Sequence, residues 1–220
     1  MELKDMISML WSGTGETLLM VLASTAAGYL IGLPIGVLLT VSDSDGISPH
    51  PLLYKALDVV INITRSIPFL ILLILIQPFT KFVVGKSYGT SATVVPLTVA
   101  AAPLIARMVE SSLKEVDHGV IEAALSLGAK KGTIVTKVLI AEARTSLLVG
   151  VTISLGTILG YSAMAGIVGG GGLGDIAIRY GYYRYETEIM IVTVAVLVFL
   201  MQLLQWLGML LSKKLDRRRA

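Results

Sequence analysis

The sequence predicts an all-α integral membrane protein, a single domain (1–220) of five spanning helices, and three observations carry that prediction. Of 220 residues, 55% are hydrophobic and only 15% charged, against roughly a quarter charged in soluble domains. The mean hydropathy is +0.81. Five windows reach the roughly 20 mostly apolar residues that a bilayer crossing needs. Lys and Arg number 18 against 15 Asp and Glu, a net charge of +3, too mild a balance to argue for a nucleic-acid partner. The chain has no cysteine, hence no disulfide, thiolate metal site or cysteine nucleophile. A soluble enzyme is at odds with this composition.

The windows fall at 17–41, 59–79, 88–106, 145–168 and 189–212. The first holds no charge. The second is interrupted only by Arg65, the third carries Pro96 and Pro103, the fourth is rich in Gly, Ser and Thr, and the fifth is the most uniformly apolar. Residues 1–11 could form an amphipathic helix ahead of the first span. A cleaved signal peptide fits poorly, because its apolar region is short and follows a basic start. Here Glu2, Lys4, Asp5 and Glu16 precede a far longer apolar run. Counting Lys and Arg near span ends sets the orientation. With the N-terminus outside and the C-terminus inside, 12 basic residues lie inside, among them Lys55, Lys130, Lys131, Lys213, Arg217, Arg218 and Arg219. Five lie outside: Lys4, Lys81, Lys86, Arg179 and Arg184.

The 113–144 segment between the third and fourth spans is longer than a bundle connection needs. Asp117 or His118 can cap a short helix here, Val120 through Leu127 form its body, and Gly128 is placed to end it. Val120, Ile121, Ala124, Leu125 and Leu127 give it an apolar flank too short to fold alone. Periodicity leaves two readings open, a helix resting on lipid headgroups and one seated on a partner.

Spacing adds a resemblance. Glu122-Ala123-Ala124, then Gly128, then Val138, Leu139, Ile140 and Ala141 is similar to the cytoplasmic loop of the permease subunits of bacterial ABC importers. That family reads Glu-Ala-Ala, a Gly four residues on, then Ile-x-Leu-Pro; Ala141 stands where Pro is usual. Asn62 through Phe69, Val95-Pro96-Leu97-Thr98, Ala106 through Glu110 and Tyr161 through Met164 resemble the methionine-importer branch. So do Gly171 through Gly174 and Arg179 through Tyr182. The resemblance covers about 14–212. It implies a homodimeric pore in the bacterial cytoplasmic (inner) membrane. It also implies two cytoplasmic ATPase subunits that bind ATP and Mg, and a membrane-tethered binding protein that delivers D- or L-methionine. Val120, Ile121, Glu122, Ala123, Ala124, Leu125 and Gly128 would then form the ATPase-coupling helix, dragged as a rigid lever when the ATPases close.

Two other patterns carry no nucleotide chemistry. Gly169, Gly171 and Gly174 fit a dinucleotide fingerprint, which has meaning only between a strand and a helix; here they read as a tight, flexible outer loop after the fourth span. Gly85-Lys86-Ser87 resembles the end of a phosphate loop, but Thr80 stands where its first Gly belongs. ATP hydrolysis is therefore assigned to a partner, and this chain holds no cofactor. His50 and His118 are far apart with no third ligand nearby, so no metal is expected.

Charge at mid-bilayer costs roughly 2.5–3.5 kcal/mol on insertion scales, so Arg65 needs a reason. It either snorkels to headgroups or pairs with Glu110, which Arg107 can serve instead from one turn away. Gly28, Gly32 and Gly36 have the four-residue spacing of close helix packing. The fourth span is small and weakly polar. Ser154, Thr157 and Gly160 either line a path for a zwitterion, with Tyr161 and Met164 as a closure, or serve helix contact. A permease for another small solute and a stand-alone channel are the competing functions. An intramembrane enzyme lacks His and Asp within the windows.

Overall fold

The computed structural model describes residues 3–215; Met1, Glu2 and 216–220 lie outside the described residues, and with them Arg217, Arg218 and Arg219. The first helix, α1 (Leu3–Ser42), runs unbroken for 40 residues. At 1.5 Å per residue that is about 60 Å, twice the roughly 30 Å of a hydrocarbon core. Residues 3–16 are thus a continuation of the spanning helix and not a separate amphipathic one.

The second window is not one straight helix. α2 (Pro51–Ser66) and α3 (Phe69–Leu75) are bent by 100° at the break between them. Pro68 lacks a backbone N–H and pushes the preceding residue out of the helical region; Ile67 accordingly sits at φ −81°, ψ 122°. α4 (Gln77–Val84) follows and ends at Gly85 with φ +81°. Among the described residues four helices are long and apolar enough to cross a membrane, five if the bent pair is one span.

The third window underestimates its helix. α5 (Thr90–Lys114) continues past 106 and carries Arg107, Glu110 and Lys114 on its last turns. The connection that follows is helical in pieces: α6 (His118–Ser126), α7 (Lys131–Thr133), a π-helical turn at Ile134–Leu139 and α8 (Ile140–Glu142). α9 (Arg144–Ala165) and a 3₁₀ turn at Gly166–Val168 match the fourth window. α10 (Gly172–Ile176), a second π-helical turn at Ala177–Tyr182 and α11 (Thr187–Leu215) complete the chain.

α5 is the axis of the bundle. Its Leu97, Ala101, Ile105, Val109 and Leu113 are almost fully buried, and α1 and α9 pack against it. The three glycines of α1 explain the closeness of α1. A Cβ on Gly32 would lie 2.6 Å from the Ala102 carbonyl, and one on Gly36 the same distance from that of Ala106. The sequence reading of this stripe as packing holds. α11 instead leaves Ile191, Val198, Phe199 and Trp206 exposed, a surface suited to lipid. The bundle has two unlike ends. One gathers the end of α1, the start of α2, the end of α5 and α6; the other gathers Glu16, Thr90 and the glycine segment 169–174.

Candidate functional site

α6 is a complete, sharply bounded helix that hides nothing. Asp117 is its N-cap, accepting a hydrogen bond from the Gly119 N–H at 2.7 Å. Gly128 adopts φ +74°, and two bonds close the other end: the Gly128 N–H to Leu125 O at 2.9 Å and the Ala129 N–H to Ala124 O at 3.1 Å. This is the glycine-terminated pattern that satisfies the last carbonyls of a helix. None of its residues is buried. Val120, Leu125 and Leu127 are exposed, as are Glu122 and Ala123, while Ala124 is half-buried. Ile121, also half-buried, packs against the main core, and the neighbouring Val116, Ile134 and Leu139 are buried. α6 is thus fastened by one edge and presents the rest of its surface outward.

Behind it lies a polar cluster that the sequence revealed only in part. Glu110, 4% exposed, accepts from Arg107 at 2.6 Å, from Lys114 at 2.9 Å and from the Tyr54 hydroxyl at 3.1 Å. Arg107 also pairs with Asp58 and donates to Asn62 Oδ1 at 3.1 Å. Lys114 reaches Asp43 at 2.6 Å. That hydrogen bond from the Lys114 ammonium holds the Asp43 carboxyl below the usual carboxylate range. A buried charge is tolerated when its partners surround it, and here α1, α2 and α5 are tied at one level. Of the two partners considered for Glu110, Arg107 is the one found; Arg65 is exposed and makes no ion pair among the described residues. Asp43, Tyr54, Asp58 and Asn62 escaped the sequence reading because they approach from 45 or more residues away. For Lys114, its i,i+4 spacing from Glu110 was the available signal.

The residues singled out on α9 divide. Ser154 is fully buried, its hydroxyl donating to Gly150 O at 2.9 Å and lying 3.4 Å from Met108 Sδ, so in one copy it serves helix contact. Thr157 is half-buried and Gly160 is exposed with open space beside it. Tyr161 stacks on Phe69 of α3, centroids 4.6 Å apart and planes 5° from parallel. Met164 is exposed. The aromatic stack links the bent α2–α3 element to α9.

The glycine segment differs from its expectation as a flexible loop. Glu16 Oε2 accepts from the Gly172 N–H at 2.6 Å, and Thr17 Oγ1 accepts from the Leu173 N–H at 2.9 Å. Gly89 donates to Gly169 O at 2.9 Å and Thr93 Oγ1 to Gly170 O at 3.2 Å. Gly169, Gly171 and Gly172 have φ between +73° and +82°, which favours glycine. Gly166 and Gly174 meet backbone to backbone. The segment is a packed plug, and with Glu16 already on the Gly172 N–H it offers no cradle for a phosphate.

Comparison with known proteins fits these features. The family described as binding-protein-dependent transport system inner membrane component matches residues 32–220. The chain belongs to this family. As such an inner membrane component with several apolar helices it is a multi-pass protein of the cytoplasmic membrane. A Vibrio cholerae protein named probable D-methionine transport system permease protein MetI is 48% identical over 210 residues, 96% of this chain and 93% of its own length. The Escherichia coli K12 D-methionine transport system permease protein MetI is 48% identical over 163 residues, 74% of this chain and 75% of its own. A solved structure described as inward facing conformations of the MetNI methionine ABC transporter superposes with a TM-score of 0.96 at 46% identity, covering 99% of this inner membrane component and 100% of that chain. An amino acid ABC transporter structure, TM-score 0.79 at 22% identity, shares the fold.

Proposed function

We propose that the chain is the membrane-spanning permease subunit of an ATP-driven importer of D- and L-methionine. The observation that carries this is α6: a capped helix with exposed Val120, Glu122 and Leu125 at one end of an apolar bundle. Relatives at 48% identity bear a methionine-permease name. The bent α2–α3 pair is read as the second of five crossings, with the N-terminus outside and the α6 end in the cytoplasm, as the basic residues favour. Two copies form the pore, and each seats α6 in a groove of one ATPase, which binds ATP and Mg and does the hydrolysis. A binding protein outside the membrane delivers the substrate. Thr157, Gly160, Tyr161 and Met164 are read as path and closure.

Because α6 is rigid and joined directly to α5 through Glu115–Asp117, a pull on it moves the polar cluster and the helices fastened there. Glu122 would accept hydrogen bonds from the ATPase, with Ala123 and Ala124 allowing close approach. Uptake of labelled methionine into proteoliposomes holding the complete importer tests this. Glu122→Ala should weaken ATPase association roughly tenfold, the loss of one charged hydrogen bond, and cut uptake while insertion stays normal. Wild-type association and uptake in that variant would leave α6 as a lipid-surface helix.

A further inference from the structure

Arg65, in the last turn of α2, is a charge that the fold does not use. Asp58 and Asn62, on the same helix, are absorbed by Arg107, whereas Arg65 has neither an ion pair nor a side-chain hydrogen bond among the described residues. It sits at the last turn of α2, two residues before the bend. Its surroundings are not bare lipid-facing helix. Arg65 lines an open cavity of about 310 Å³ between α2, α5 and α9, together with Met108, Ser111, Glu115, Ser146 and Ile153. Arg107 also borders it, but its guanidinium is already met by Asp58 and Glu110. Glu115 is exposed and likewise makes no ion pair or side-chain hydrogen bond among the described residues. One cavity therefore holds an unneutralised guanidinium, an unneutralised carboxylate, three serines, of which Ser146 donates to Ser112, and an apolar wall of Met108 and Ile153. Its volume is at the small end of the roughly 300–1,000 Å³ typical of ligand sites.

We propose that this cavity is a transient site for the substrate amino acid, Arg65 taking its α-carboxylate and Glu115 its α-ammonium. The inference rests on the reading of this chain as an amino-acid permease. A guanidinium presents two parallel N–H groups that fit a carboxylate bidentately. A zwitterion neutralises both free charges at once, whereas an anion or a cation alone leaves one of them unmet. A thioether side chain is accommodated on Met108 and Ile153, since sulfur-containing chains are soft and adaptable packing partners. The cavity is open, so both ion pairs would be screened and weak, as passage requires. The site also joins the bend of α2 to α5 and α9, so that movement of the helices fastened at the polar cluster alters it.

The test uses the nucleotide-free complex of this chain with its ATPase in detergent, without binding protein, and a photoactivatable diazirine analogue of methionine. Labelled peptides are mapped by mass spectrometry. Labelling is expected within 104–115 and 146–153, suppressed by excess methionine and not by methionine amide, which has no carboxylate. Arg65→Gln should lower that labelling about tenfold, the loss of a charged hydrogen-bonded pair, Arg65→Lys should keep part of it, and Glu115→Gln should lower it less. All variants should elute as intact complexes, since neither side chain is held by the fold. Unchanged labelling in Arg65→Gln overturns the proposal. Labelling confined to 157–164 overturns it while leaving the permease reading standing; labelling nowhere on this chain removes both. If Arg65→Gln instead sheds a phosphatidylglycerol seen by native mass spectrometry and labelling is unaffected, Arg65 holds a lipid phosphate and the site is not the substrate's.

Discussion

α10 and α6 are both short helices set in glycine-bearing connections, one at each end of the bundle. Four of the five residues of α10 are buried, and none of the nine of α6 is. The first two N–H groups of α10 go to Glu16 and Thr17, and the carbonyls just ahead of it accept from Gly89 and Thr93. In α6 the polar groups are settled locally, by Asp117 at one end and the Gly128 turn at the other, so its side chains are left over. The same residue type has two uses here. Glycine at 166 and 174 removes side chains so that backbones can touch. Gly128 has open space around it and φ +74°, and there the left-handed backbone matters. Internal satisfaction seals one end of the bundle, and external exposure equips the other.

The largest expected effect comes from breaking the sealed end. A Cβ on Gly174 collides with the backbone of Ala163, which cannot turn aside as a side chain can. Gly174→Val should destabilise the chain by about 3 kcal/mol or more, at or above the top of the usual overpacking range. Poor recovery in mild detergent and a lowered thermal midpoint would show it. Unchanged melting would mean the plug is loose. Glu16→Ala is a milder version of the same test. It leaves the Gly172 N–H without its acceptor, a loss of about 1–3 kcal/mol for a buried donor. Faster hydrogen exchange should then be confined to 169–174 and the facing turn of α1.

Much of this contrast was legible beforehand. The apolar windows located the spanning helices because hydropathy is additive along the chain. Asp117 and Gly128 bracket α6 through bonds made within a few residues. Arg107 and Glu110 meet at i,i+3. What stayed hidden depends on long-range approach. The burial of the glycine segment needs Glu16, 156 residues away from Gly172. The polar cluster needs Asp43, Tyr54 and Asp58 to converge on α5. The bend at Pro68 was visible as a residue but averaged away in a 21-residue window. The extension of α5 to Lys114 was missed because a charged turn lowers hydropathy without ending a helix.

A smaller effect is expected from the ion pair beside α6. Asp43 is held below the ordinary carboxylate value by its hydrogen bond from Lys114. A group with a lowered folded-state value contributes stability that is complete above its unfolded value, near 3.9, and is lost as pH falls through the folded one. Melting should be insensitive to this pair between pH 7 and 5 and decline below about 4. Asp43 remains partly exposed, with 22% of its side chain accessible, so Asp43→Asn should cost less than about 1 kcal/mol at neutral pH. It should also remove this part of the acid sensitivity. A variant that melts earlier at pH 7 by much more would show the pair to be a main fastening of α1 to α5.

The smallest effect on the fold should come from α6 itself, and there the contrast between the two ends is sharpest. Val120 and Leu125 are 44% and 46% exposed, so replacing both with Ser removes little buried apolar surface within the chain. Surface substitutions of this kind stay within about 0.5 kcal/mol each, and the thermal midpoint of the isolated permease should hardly move. If an ATPase covers that flank, the same double variant exposes polar groups to an apolar groove and forfeits their burial, about 25 cal/mol for each Å² of apolar surface withdrawn. Co-purification of the ATPase should therefore fall severalfold while the permease alone is unaltered. The opposite result, a destabilised permease that still binds its ATPase normally, would mean that α6 packs against its own chain or the bilayer. Equal stability with equal association would mean that its apolar flank is covered by neither.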